Sequence, residues 1–236
     1  MKTAWIIARK ELGTYFKSPI AYIILTITIS IFNIFFFVLL EQNREASLRD
    51  MFKLMEFMFV FIVPLLTMRL FCEEKRLGTI EFLMTSPTSN ESIVLGKYLG
   101  SLLFFTSLIL LTGTYYFILE YFVKMDRWAA FAGYLGIWLE GGLFISIGLL
   151  MSSLTKNQII AGISSYAVIL MLYFSISFIK YFDSHTQEII KQASVWSHTE
   201  NFAAGLITSA DFIYFLSGIL FCLILTRLTI DNSIWK

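Results

Sequence analysis

The chain has 236 residues, of which 57% are hydrophobic and only 15% are charged, and its formal net charge is +1. Soluble domains carry roughly 25% charged residues, so this chain has too few polar groups to cover a water-exposed globule of its size. A nearly neutral chain also has no general electrostatic attraction to DNA or RNA. The composition therefore argues against a soluble enzyme, a disordered chain and a nucleic-acid binder, and it predicts an integral membrane protein with a single domain over residues 1–236.

Residues 1–18 are predicted to form an amphipathic helix at the membrane interface. One face holds aromatic and small residues, namely Ala4, Trp5, Ala8, Leu12, Tyr15 and Phe16. The cations occupy the rest of the surface, namely Lys2, Arg9, Lys10 and Lys17. Such a helix buries its rings in lipid and keeps its cations near the phosphates. Pro19 then suits the first turn of a new helix. A plain cytoplasmic tail is the alternative interpretation.

Six apolar stretches follow the N-terminal segment. They cover residues 19–40, 57–71, 98–119, 129–154, 159–179 and 212–230. A bilayer core of about 30 Å needs roughly 20 apolar residues in a helix, and a lone segment in lipid must satisfy its own backbone hydrogen bonds. The sequence therefore predicts an all-α bundle of six transmembrane helices over residues 19–230.

The orientation follows from the cations in the loops. An even number of spans places both termini on one side, and that side carries the larger share of the 18 Lys and Arg residues. Because positive charge is enriched in cytoplasmic loops, we expect both termini to be cytoplasmic.

Three spans contain a charge that needs an explanation, and in the sixth span this is Arg227, near its end. Glu140 lies halfway along the fourth span, where an ionised carboxylate costs several kcal/mol, at least ~2.5. It either lines a pathway or dimer seam, or it is neutral or hydrogen-bonded between helices, and Gly141 and Gly142 allow such a close approach. Arg69 lies near the end of the second span, where it can reach water and pair with Glu73 four residues later.

Residues 72–87, between the second and third spans, contain the densest charge cluster. Ile80, Leu83 and Met84 then follow at helical spacing, with Glu81 on another face, and this pattern predicts a short surface helix that ends at Pro87. Thr88 and Glu91 have the spacing of a capping box for the third span. A short surface helix can dock into a groove on a soluble partner. A solvated turn is the alternative.

One run begins at Pro64 and contains Arg69, then Glu73-Glu74-Lys75-Arg76, then Gly78-Thr79-Ile80-Glu81-Phe82-Leu83, before Pro87 and Gly96-Lys97. Residues 17–22, 152–158 and 196–217 contain three further stretches of the same kind. Together these stretches resemble the ABC-2 type permease family, and the closest match is to its gliding-motility-type subunits. The resemblance extends over nearly the whole chain, and the block from Glu73 to Glu81 is its most specific part.

The resemblance implies a six-helix half-transporter in the inner membrane of a bacterium or archaeon. Such a chain pairs with a second copy of itself or with a homologous permease. An ABC ATPase subunit docks on it from the cytoplasm, and an extracytoplasmic accessory subunit is a further expected partner. Residues 78–85 would be the coupling helix that contacts the ATPase, and residues 186–210 would be short re-entrant helices on the outer side.

These implications define two groups of candidate site residues. The ATPase-coupling group is Glu73, Glu74, Gly78, Thr79, Ile80, Glu81, Leu83 and Met84. The group assigned to a pathway or dimer seam is Glu140 and Arg69.

Motifs for catalysis on this chain are missing from the sequence. Tyr98 follows Gly96-Lys97, so there is no Gly-x-x-x-x-Gly-Lys-[Ser/Thr] loop for nucleotide phosphates. There is no His-Glu-x-x-His motif for zinc, and His185 and His198 are interpreted as solvated loop residues. We therefore expect a non-enzymatic chain without a cofactor or metal, with ATP and Mg²⁺ on the partner ATPase.

These observations favour the permease subunit of an ATP-driven exporter. The alternative is a structural or anchoring subunit of a surface motility or secretion machine. An intramembrane enzyme is disfavoured by the missing motifs.

Overall fold

A computed structural model describes residues 2–42, 48–80, 88–122 and 124–233 of the chain, and these residues form helices and turns without any strand. The helices, in chain order, are α1 (Lys2–Lys17), α2 (Pro19–Gln42), α3 (Arg49–Thr67), α4 (Cys72–Leu77), α5 (Asn90–Phe122), α6 (Arg127–Leu154), α7 (Gln158–Phe174), a 3₁₀ helix (Ser175–Tyr181), α8 (Ser184–Ala193), α9 (Val195–Ala203) and α10 (Ser209–Ser233).

Six helical segments are long and apolar enough to cross a membrane. They are Pro19–Glu41, Arg49–Leu77, Asn90–Phe122, Arg127–Leu154, Gln158–Tyr181 and Ser209–Asn232. The prediction of an all-α integral membrane protein with six spans is therefore confirmed.

The second span begins earlier than the hydropathy of the sequence indicated. Its helix starts at Arg49 rather than at residue 57, because the charged residues of its first turns alternate with an apolar buried face that includes Met51, Phe52 and Met55. An amphipathic first turn interrupts an apolar run without interrupting a helix. Glu56, which directly precedes the predicted span, is consequently a buried residue of this span.

Helix α6 lies at the centre of the bundle and contacts α3, α5, α7, α9 and α10. Glycines on its surface allow these helices to approach closely. A Cβ added to Gly141 would lie 2.0 Å from the ring of Phe105 on α5, and one added to Gly136 would lie 2.4 Å from the Cβ of Phe202 on α9. The small residues of α6 thus determine where its neighbours pack.

Helix α1 packs lengthwise on the first part of α5. A Cβ added to Gly96 would lie 2.8 Å from the carbonyl oxygen of Ala4, and one added to Gly100 would lie 2.9 Å from that of Ala8. The same four-residue spacing of small residues on both helices brings their backbones together.

The aromatic residues of α1 divide between the protein interior and its surface. The prediction that the rings of this helix enter lipid is wrong for Tyr15, which is buried and stacks on Phe104 with ring centroids 4.6 Å apart. Trp5 and Phe16 are exposed, so they remain available to lipid. The position of α1 at the membrane interface stays a prediction.

Two short helices, α8 and α9, connect the fifth and sixth spans, and their entry into the bilayer stays a prediction. Asp211, at the start of α10, is bonded to side chains of α9 and of the turn that follows α9. Its carboxylate lies 2.6 Å from Nδ1 of His198 and accepts hydrogen bonds from Asn201 (2.9 Å) and Thr208 (2.6 Å). The interpretation of His198 as a solvated loop residue is therefore wrong, because the ring is also stacked on Tyr214.

Candidate functional site

The ammonium group of Lys97 joins three helices at the end of the bundle that carries α1 and α4, which we call the inner end. Its Nζ lies 2.8 Å from Oε1 of Glu11 on α1 and 2.8 Å from Oε1 of Glu74 on α4. It also donates to the carbonyl oxygen of Leu70 at 2.8 Å. Lys97 is only 1% exposed, and an ammonium has three protons to donate. The buried cation therefore has three acceptors and two opposite charges around it, and we call Glu11, Glu74 and Lys97 the Lys97 cluster.

The local sequence explains why these three side chains meet. Gly100 lies one turn after Lys97 on α5, and a Cβ there would lie only 2.7 Å from the Cβ of Glu11. The missing side chain lets α1 bring Glu11 down to the lysine. Glu74 reaches it from the other side, because α4 begins only a few residues after the end of α3.

Helix α4 is also bonded to the turn between α6 and α7. Cys72 Sγ lies 3.2 Å from the carbonyl oxygens of both Ser152 and Thr155, which share its one proton, and Lys75 Nζ donates to the carbonyl oxygen of Ser153. One short helix is therefore attached to α1 and α5 on one side and to the α6–α7 turn on the other.

Arg69 contacts the junction of α1 and α2. Its guanidinium lies 4.6 Å from the ring centroid of Tyr15, and its Nη1 donates to Ser18 Oγ at 3.2 Å. These contacts replace the Arg69–Glu73 pair that the four-residue spacing indicated. The Tyr15 hydroxyl donates to the carbonyl oxygen of Leu66 at 2.9 Å, and burial raises the pKa of Tyr15 to about 12. Arg69 therefore lies over the ring of a neutral tyrosine.

A cavity of about 300 Å³ lies beside Arg69 at the inner ends of α2, α3 and α7. Its polar lining consists of Ser18, Arg69, Glu73, Arg76 and Gln158.

The remaining predicted coupling residues lie at or beyond the end of α4. Gly78 has a φ of 71° and ends this helix, a left-handed conformation that glycine adopts without steric cost. The prediction of a helix that begins at residue 78 is therefore wrong at its first residue. Thr79 is exposed and Ile80 packs partly against the core. Glu81, Leu83 and Met84 lie outside the described residues.

The third span is capped one residue later than the capping box of Thr88 and Glu91 indicated. Helix α5 begins at Asn90, and the hydroxyl of Ser89 accepts a hydrogen bond from the backbone N–H of Ser92 at 3.3 Å.

The start of α5 is also bonded to the end of α10. Arg227 pairs with Glu91 and lies 3.5 Å from Asp231, which accepts from Asn90 Nδ2 at 2.6 Å. The inner end of the bundle is therefore cross-linked by polar contacts between elements that are distant in sequence.

Sequence reasoning found Glu74 but missed Glu11 and Lys97. Lys97 was counted as a cation of a cytoplasmic loop, and Glu11 was not distinguished from the polar face of α1. The Gly96–Gly100 spacing, which predicts close helix packing, was the signal that a helix would lie against this part of α5. Glu140 is not part of this site, because it is buried in the middle of α6.

The chain matches a known protein family over most of its length. The family described as ABC-2 family transporter protein matches residues 5–217, a range that contains the Lys97 cluster and α4. No curated protein matches the chain. The family match covers most of the chain, and it agrees with the six apolar helices. The chain belongs to the ABC-2 family of transporter proteins and is a multi-pass permease subunit of an ABC transporter.

Proposed function

We propose that the chain is the single-domain permease of an ATP-driven exporter, coupled to a separate ATPase through α4 and the residues that follow it. Permeases of this family typically work with an ATPase on another subunit and as dimers. ATP and Mg²⁺ are bound by that partner, and this chain transmits movement. Both termini face the cytoplasm of a bacterium or archaeon, and α8 and α9 face the other side, where an accessory subunit would bind.

The observation that carries the proposal is the Lys97 cluster. A partner that pushes on α4 acts directly on Glu74, whose carboxylate is bonded to Lys97 on α5. Removing one partner of a buried ion pair costs about 3–5 kcal/mol. Helix α4 therefore moves together with α1 and α5 rather than sliding past them, and the third span receives the movement.

The exposed side of α4 is available for docking. Arg76 and Leu77 are exposed, with Leu77 63% accessible, whereas Cys72 is buried. A protruding leucine next to charged residues is suited to a groove with an apolar floor and a polar rim. The sequence adds Glu81, Leu83 and Met84 as further proposed contacts.

Binding of the ATPase encoded next to this chain tests the proposal. The full chain in lipid nanodiscs is compared with Arg76→Glu, Leu77→Asp and Glu81→Lys. We expect each variant to weaken binding by about tenfold or more, which corresponds to the loss of a contact worth ~1.4 kcal/mol. Lys191→Glu, an exposed charge reversal on α8, is the matched control and leaves the affinity unchanged. Unchanged affinity in all three variants contradicts docking at α4.

Glu74 is unsuitable for this binding test. Its carboxylate belongs to the Lys97 cluster, so a charge reversal there would disturb the fold and the docking surface together.

ATP turnover of the reconstituted complex separates a transporter from an anchor. An exporter shows turnover that depends on the transported substrate, because docking and transport are coupled. A structural subunit of a motility or secretion machine shows none, and that result would reject the transport proposal even if the ATPase binds.

A further inference from the structure

Two buried carboxyl groups in the middle of the bundle have no role in the coupling site. Glu140 on α6 is 0% exposed, and Glu56 on α3 is 3% exposed. Neither carboxyl oxygen of Glu140 has a hydrogen-bond partner in the part of the chain that the structure describes. An uncompensated carboxyl group at this depth is rare in membrane proteins, and it marks a functional site by default.

The packing of α3 on α6 brings these two residues near each other. Gly133 of α6 faces Phe52 of α3, and further along Gly148 faces Thr67. Because the same number of residues separates the two contacts on both helices, α3 and α6 run parallel and in register. In that register Glu56 and Glu140 differ in depth by about one helical turn, ~5 Å. Glu140 lies seven residues after Gly133 and Glu56 lies four residues after Phe52, so both are on the faces with which the two helices pack against each other.

Tyr173 of α7 adds a third polar group without a partner. It is 1% exposed, and its hydroxyl has no hydrogen-bond partner among the described residues. Its ring packs on Phe57, next to Glu56, at 6.4 Å and on Trp196 of α9 at 5.3 Å. A third helix, α7, therefore contributes a buried polar group near Glu56.

Thr199 of α9 supplies a hydroxyl next to Glu56. The hydroxyl donates to the carbonyl oxygen of Trp196 at 3.2 Å and is also within reach of the Glu56 carboxyl group. A threonine hydroxyl has one proton to donate. Because that proton is shared with Trp196, Thr199 alone does not compensate a negative charge on Glu56.

The charges around the pair do not neutralise it. Lys53, one turn before Glu56 on α3, is the positive side chain that acts on Glu56, and Glu200 of α9 adds a negative one. Among the described residues, Glu140 has neither an ion pair nor a hydrogen-bond donor. Two neighbouring carboxylates in a medium of low dielectric constant cannot both be ionised at low cost.

The lack of space beside Glu140 restricts which species can neutralise the charge of the two carboxylates. The carboxyl oxygens of Glu140 touch no space large enough for a water molecule, so a hydrated ion or an organic group does not fit beside them. The described part of the chain also has no group of three His, Cys, Asp or Glu residues placed to hold a metal ion. A proton needs no additional space.

We propose that Glu56 and Glu140 form a proton-binding site inside the membrane-spanning bundle, with the hydroxyl groups of Tyr173 and Thr199 beside it. The site is closed in this conformation. Proton exchange requires α7 or α9 to move away from α3 and α6, so release or uptake accompanies a conformational change of the transporter. This role is independent of the coupling role of α4.

Infrared spectroscopy of the purified full chain, in a detergent without ester groups, tests the proposal. A protonated carboxyl group has a carbonyl-stretching band that is separate from those of the carboxylate and the amide. We expect the wild type to show this band at neutral pH, to show a weaker band in Glu140→Gln and in Glu56→Gln, to lose it in the double variant, and to keep it unchanged in Glu188→Gln. Glu188 is exposed on α8 and is the matched control.

Tyr173→Phe provides a second readout in a folded protein. Removing this polar hydroxyl changes the electrostatic field at the buried carboxyl groups, so the band shifts in frequency without disappearing. If the glutamine variants fail to fold, ¹³C-labelled glutamate in the wild type and in Tyr173→Phe gives the same information. A wild type without the band, or a band unchanged in both glutamine variants and in Tyr173→Phe, overturns the proposal.

Discussion

Lys97 lies at the inner end of the bundle, and the position of its side chain there differs from the position that its sequence context indicates. In the sequence it follows a glycine at the start of an apolar run, which is typical of a loop cation at the membrane surface. In the structure it is buried between Glu11 and Glu74. A cation in this position makes the charges of α1 and α4 interdependent.

Replacement of Lys97 by methionine tests the stability of this arrangement. Lys97→Met keeps most of the volume but leaves the buried Glu11 and the half-buried Glu74 without a cation. We expect the free energy of unfolding to fall by about 3–5 kcal/mol, measured as thermal or denaturant unfolding in detergent. Lys10→Met, at an exposed position of α1, is the control and changes stability little.

A triple variant separates charge from packing at the same site. In Glu11→Gln/Glu74→Gln/Lys97→Met no charge is left in the cluster, and exchange of a whole buried ion cluster for neutral residues is often close to neutral. Most of the lost stability should return. Equal stability of Lys97→Met and the wild type would mean that the cluster contributes nothing.

The position of α1 on α5 depends on glycines, because a residue without a side chain lets the two helices approach closely. Gly96 and Gly100 face the backbone of α1, whereas Gly113 of the same helix has no atom within 4 Å of an added Cβ. Two glycines are therefore required by packing, and the third is not. The sequence contained the four-residue spacing, but it did not identify the partner helix.

Gly100→Leu is expected to separate α1 from α5. Its Cβ would lie 2.7 Å from that of Glu11, and overpacking of this kind costs about 1–3 kcal/mol. A disulfide between Thr3→Cys and Ser92→Cys, whose native hydroxyl oxygens are 3.1 Å apart, reports the docking. We expect this disulfide to form in the chain that carries only the two cysteine substitutions, and also when Gly113→Leu is added to it. Disulfide formation at the native rate in Gly100→Leu would show that α1 tolerates the added side chain.

At the scale of the whole molecule, the order of the spans places α1 and α4 at one end of the bundle and α8 and α9 at the other. The excess of Lys and Arg on the first side predicts that it is cytoplasmic. Single cysteines at Lys10 and Lys191, both exposed in the structure, test this orientation. A membrane-impermeant maleimide should label Lys191→Cys in intact cells and Lys10→Cys only after permeabilisation. The opposite pattern would reverse the orientation and remove α4 from the cytoplasm.

The sequence by itself determined the solvent, the number of spans and the family. Hydropathy is a property of each residue, and its sum over about 20 neighbours decides whether a segment is stable in lipid. This information is local, so six spans could be predicted without knowledge of their packing. The same local information failed for the start of α3, where charged residues on one face concealed a helix that includes Glu56.

Only the tertiary structure decided how the charged residues are paired. Glu11 and Lys97 are far apart in the chain, and so are Glu56 and Glu140, so neither pairing has a signal in sequence spacing. Interaction between charges depends on the distance between their atoms and on the exclusion of water. Both are determined by how closely the helices pack at their glycines. A composition with few charges identified a membrane protein, and the packing brought those charges together in the Lys97 cluster and in the pair of Glu56 and Glu140.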